Sequence, residues 1–210
     1  MRGLIYKDFS IFYKGIDKRL IVIMIVFTAI VLAKTGAYSG LLASIMLAMT
    51  IGMQNVMSLA SDEKARWKQY QMAMPVSSFL VVASKYVSVI CTLGISLLGS
   101  IVLNLLSSVI YHHFDFAVWG LAIYAAAFLP VIWTGVSLPL AYWFGVQPAQ
   151  TMSLFVVIPM FYLIKFFEDG LGLSAMPDSL APYLAVTGVA AIILWGISMV
   201  ISMMGYKRKR

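Results

Sequence analysis

Charge is scarce in this sequence: only 11% of its 210 residues are charged, 62% are hydrophobic, and the mean hydropathy is +0.94. Ordinary soluble domains carry roughly 25% charged residues, so a soluble or disordered chain is excluded and a membrane protein remains. No linker, low-complexity tract or internal repeat interrupts residues 1–210, which leaves room for a single transmembrane domain. Cysteine is almost missing. Cys91, alone inside an apolar run, excludes an intrachain disulfide and reads as a small buried hydrophobe. There is no GxxxxGK[ST] loop, GxSxG elbow, HExxH or CxxC, so nucleotide hydrolysis and metal chemistry have no visible home. The only histidines, His112 and His113, are adjacent, and neighbours on a helix point about 100° apart, a poor chelate.

What the chain does have is long uncharged runs. Crossing the hydrocarbon core takes roughly 20 apolar residues in a helix, and six such runs stand near Leu20–Tyr38, Gly40–Ala60, Phe79–Ile110, Phe116–Tyr142, Pro148–Phe167 and Pro182–Gly205. The fourth and fifth share one uncharged tract, which is divided at Phe144-Gly145-Val146-Gln147-Pro148 because Gly and Pro punctuate a helix hairpin. Of the 15 lysines and arginines, 13 fall in the N-terminal segment, around the second connection (Lys64, Arg66, Lys68, Lys85) and in the tail 206–210. Only Lys34 and Lys165 fall on the other side, so both termini are expected in the cytoplasm, in a multi-pass protein of the cell membrane. The net charge of +7 is therefore topology, with no nucleic acid implied.

Residues 1–19 lack the apolar core of a cleavable signal and read as an amphipathic helix in the headgroup plane. Its expected apolar side is Ile5, Tyr6, Phe9, Phe12, Tyr13 and Ile16, with Lys7, Ser10, Lys14, Asp17 and Lys18 opposite. In the third span Ser84, Ser88, Thr92, Ser96, Ser100, Asn104 and Ser108 recur at every fourth position, a slanted ridge. Such a ridge lets helices approach and hydrogen-bond, or forms a polar seam along a substrate path. In the second span Met46, Met49, Met53 and Met57 share one band, read either as packing or as a flexible apolar surface for cargo.

Between those spans lies SDEKARWKQYQMAMP, Ser61 to Pro75. Ser61 can cap, Asp62 and Glu63 suit a helix N-terminus, and Pro75 disfavours helix at Met74, so a separate surface helix is expected over 61–76. Glu63, Trp67, Tyr70, Gln71 and Met74 share one of its faces, and Ser77 or Ser78 can cap the next span. The helix is either an interfacial anchor or a docking element with Trp67 as its buried anchor.

The opening MRGLIYKDF, the six spans and the stretch DEKARWKQYQMAMPVSSFLVVASKY with its pair Lys85 and Tyr86 resemble the small permease subunits of type-2 ATP-binding-cassette exporters. In character the chain is similar to those exporting phenol-soluble modulin toxins or bacteriocins. The resemblance implies an all-α integral membrane protein of six transmembrane helices. Spans one and two lie within 20–60, three and four within 79–142, and five and six within 148–205. It implies pairing with a second copy and with a separate ATPase subunit, which would bind ATP and Mg while this chain binds no cofactor. Asp62, Glu63, Arg66, Trp67, Tyr70 and Met74 would form the coupling helix in the ATPase groove. Met46, Met49, Met53, Met57, Ser96, Ser100 and Asn104 would be candidates for the path of an amphipathic peptide. The alternative is an intramembrane hydrolase or a non-transporting assembly protein, against which the scarcity of ionisable residues inside the spans argues.

Overall fold

The computed structural model describes residues 2–15, 18–67, 70, 77–149, 151–152 and 180–208. The expected fifth span (apart from 148, 149, 151 and 152) and Met74 lie outside them. Among the described residues there is no strand. The helices are α1 (Arg2–Gly15), α2 (Lys18–Lys34), α3 (Ser39–Lys64), α4 (Ser78–Tyr111), α5 (Phe116–Phe144) and α6 (Leu180–Arg208), with a 3-10 turn at Gly36–Tyr38. Among the described residues, four stretches are long and apolar enough to cross a membrane: Ser39–Lys64, Ser78–Tyr111, Phe116–Phe144 and Leu184–Arg208. Val22–Lys34, within the expected first span, is apolar but shorter.

Local chemistry sets the ends. Ser77 caps α4, its Oγ accepting from Leu80 N at 3.3 Å, and Asp115 caps α5 by accepting from Ala117 N at 2.8 Å. His112 closes α4 in the left-handed conformation (φ 49°), so the histidine pair forms part of a helix stop. Gly145 ends α5 at φ 99° and ψ 169°, a region essentially restricted to glycine, and so divides the long uncharged tract where expected.

α3 packs on α4 and α5, α6 packs on α5 and α4, and α1 and α2 flank α3. A buried apolar cluster joins Val56 and Leu59 of α3, Val82, Tyr86 and Val89 of α4, and Trp133 and Leu138 of α5. The ridge on α4 faces these neighbours: Ser84, Ser88, Thr92, Ser96, Ser100 and Asn104 are all buried, and Ser108 accepts from Trp119 Nε1. Asn104 Nδ2 and Ser100 Oγ both donate to Ser44 Oγ at 2.9 Å, while Asn55 and Thr92 bond reciprocally. Gly40 permits the close approach, because a Cβ there would sit 3.1 Å from the Asn104 Cα. Ser96 answers a specific need. Pro130 has no N–H for the carbonyl of Ala126, and Ser96 Oγ donates to that carbonyl at 2.8 Å. Ser96→Leu therefore adds volume at a closed site and strands a carbonyl. It is expected to cost about 2 kcal/mol or more, against under about 1.5 for Leu97→Ile, in unfolding of the purified protein.

Two expectations are corrected. Cys91 is exposed on α4 rather than buried, since the face α4 turns inward is its small polar ridge. On α1 the expected apolar side is split. Phe12 is buried, but Tyr6 and Tyr13 are 78% and 74% exposed, because the inward face is centred on Asp8, only 3% exposed.

Candidate functional site

The last turn of α3 collects the charges. α3 runs unbroken through Ser61, Asp62, Glu63 and Lys64 and stops at Ala65. Ser61 therefore does not begin a new helix; its Oγ donates back to the Met57 carbonyl at 3.3 Å, and Asp62 and Glu63 belong to a helix C-terminus. That is an unfavourable place for acids by dipole alone, so their positions need partners. Asp62 has two: Lys7 Nζ at 2.7 Å on Oδ1 and Lys85 Nζ at 2.8 Å on Oδ2.

Lys85 is 5% exposed, about two turns into α4, and its ammonium also donates to Asp8 Oδ1 at 2.7 Å and Ser58 Oγ at 3.3 Å. Lys7 reaches Asp8 Oδ1 at 3.3 Å. Each carboxylate thus meets both ammonium groups, and the four formal charges cancel. Charged groups are tolerated at such depth only when paired in this way. α1 is held by this network as much as by apolar contact, which explains why Asp8 rather than the aromatic stripe faces the bundle.

Glu63 is engaged on another side. Its Oε2 accepts from the Val146 backbone N–H at 3.2 Å, and its Oε1 lies 3.4 Å from where a Gly145 Cβ would stand. The acidic pair therefore grips α1 and α4 through Asp62 and the break after α5 through Glu63. Beyond it Arg66 takes a left-handed turn at φ 49°, uncommon for a residue with a Cβ. Trp67 follows with the Lys7 ammonium 4.7 Å from its ring centroid, and Tyr70 lies against Trp67 with centroids 6.2 Å apart. Trp67 is half-buried, whereas Tyr70 is 62% exposed, so of the two rings expected on one face Tyr70 is the one that projects.

The structure brings together Asp62, Glu63, Arg66, Trp67 and Tyr70. It does not bring together the two groups expected along a path. Met46, Met53 and Met57 are exposed on α3 and Met49 is half-buried, whereas Ser96, Ser100 and Asn104 are closed into helix contacts. Lys85 and Tyr86, adjacent in sequence, diverge: Lys85 enters the ion network, and Tyr86 OH bonds Ser198 Oγ at 2.7 Å and Ser202 Oγ at 2.9 Å on α6. Sequence reasoning missed Asp8, Ser58 and the Glu63–Val146 bond. The signal for the first was available, because a lysine well inside a span requires an acid, and few acids are near.

The family profile described as ABC-2 family transporter protein matches residues 3–207. No curated protein matches the chain.

Proposed function

The chain belongs to the ABC-2 family of transporter proteins, and from that membership we propose how its geometry serves an exporter. It is a multi-pass membrane permease component that works with an ATPase subunit, and in our reading that subunit carries out the hydrolysis. In our reading the chain has six spans, pairs with a second copy, and keeps both termini in the cytoplasm. The segment from Asp62 through Met74 docks in the ATPase, which binds ATP and Mg. The carrying observation is that this segment leaves a charged helix end through a left-handed turn and presents Tyr70 outward beside the half-buried Trp67. Charges orient a partner, and a large aromatic anchors it.

The cargo in this reading is an amphipathic peptide such as a toxin or bacteriocin, met by the exposed methionines of α3. Thioether side chains adapt to varied apolar partners. The test is Met46→Ser together with Met53→Ser, both exposed, in the reconstituted complex. Cargo-stimulated ATP hydrolysis is expected to fall several-fold for an amphipathic helical peptide, with recovery of the complex unchanged. Unaltered stimulation would return the stripe to lipid contact.

A further inference from the structure

We infer that the Lys7–Asp8–Asp62–Lys85 network is a rigid joint, which makes α1 and the adjoining ends of α3 and α4 move as one body, with Asp8 and Lys85 as its positioning residues. The inference rests on the proposed docking of the segment that follows α3. The four side chains come from three helices, and the longest link, Asp8 to Lys85, closes 77 residues of chain at 2.7 Å. The ring of contacts is doubled: α4 can leave only by separating the Lys85 ammonium from two carboxylates, and α3 only by separating the Asp62 carboxylate from two ammonium groups. Ser58 Oγ accepts from Lys85, and Ser88 Oγ donates to Asp8 Oδ2 at 3.5 Å, so polar groups close the remaining directions. Opening such a buried network exposes unpaired charge in a region of low dielectric, which makes it stiff.

The neighbouring connection is of a different kind. Glu63 holds the break after α5 by one bond of 3.2 Å to a backbone N–H, next to Gly145. A push arriving through Tyr70 and Trp67 therefore meets a stiff side towards α1 and α4 and a compliant side towards the Gly145 break. Lys7 belongs to both the joint and the Trp67 ring contact, so the push reaches the joint directly.

The test uses the full chain with Cys91→Ser and nitroxide labels at Tyr13→Cys and Phe79→Cys, exposed positions on α1 and α4. The distance distribution is measured by pulsed electron spin resonance for the free chain, and for its ATPase complex without nucleotide and trapped with vanadate. A narrow distribution unchanged by trapping is expected. Asp8→Asn should broaden it in the free chain. In the complex it should lower export of a fluorescent amphipathic helical peptide per ATP roughly tenfold, the scale of one lost charge-assisted bond, with recovery unchanged. Asp8→Glu should restore both. A wild-type shift on trapping, or an Asp8→Asn chain with unaltered width and ratio, would overturn the joint. Failure of the wild-type chain to bind the ATPase or to export the peptide would count against the proposed function instead, and the free-chain widths would still decide the joint.

Discussion

Lys85→Met is expected to lower the stability of the purified protein by about 3–5 kcal/mol, the cost typical of removing one partner from a buried ion pair. The ammonium touches Asp8 at 2.7 Å, Asp62 at 2.8 Å and Ser58 at 3.3 Å. Without it two acids share the single ammonium of Lys7, and the more deeply buried Asp8 keeps only the longer ammonium contact of 3.3 Å beside the Ser88 hydroxyl at 3.5 Å. The double variant Asp8→Asn with Lys85→Met removes one charge of each sign and leaves Lys7 and Asp62 paired at 2.7 Å. It should be more stable than Lys85→Met alone, because the penalty lies in the uncompensated charge rather than in the missing contact. Denaturant titration in mixed micelles measures both. A loss below about 1 kcal/mol for Lys85→Met would show that the network is solvated like a surface pair.

Removing both rings with Trp67→Ala and Tyr70→Ala is expected to weaken binding of the ATPase subunit roughly thirtyfold or more, since anchors of this kind commonly cost about 2 kcal/mol on truncation. The two singles should differ in manner. Tyr70 projects and is 62% exposed, so its loss acts directly on the partner. Trp67 is half-buried under the Lys7 ammonium, so its loss also loosens the segment from α1. Phe114→Ala, at the other end of α4, should leave binding unchanged. Equal recovery of all variants with the ATPase would make the segment an interfacial anchor and nothing more.

Helices were legible because their signals are local. Ser77 and Gly145 mark boundaries by capping and by a backbone conformation that other residues avoid, and the four-residue polar period on α4 faces its neighbours. Long-range pairing was not legible. Lys85 reads as one more topogenic cation until Asp8, 77 residues away, is seen against it. The aromatic stripe of α1 was placed by periodicity, which cannot weigh one acid with two cations inside the bundle against the outward rings of Tyr6, Phe9 and Tyr13. Asp62 and Glu63 satisfied the composition of a helix start, yet α3 simply continues through them, since ion pairs and a backbone N–H outweigh the unfavourable dipole. The need for Ser96 was hidden in Pro130, on another helix.

As the membrane half of an ATP-driven exporter, the chain draws its energy from a separate subunit in the function proposed above. The most direct test of that dependence is ATP hydrolysis by the purified chain in lipid nanodiscs, alone and with its ATPase subunit, with the Trp67→Ala/Tyr70→Ala variant alongside. No hydrolysis by the chain alone, a stable complex that hydrolyses ATP, and loss of that complex in the variant are expected. Hydrolysis by the isolated chain, or an ATPase that never associates with it, would contradict the account.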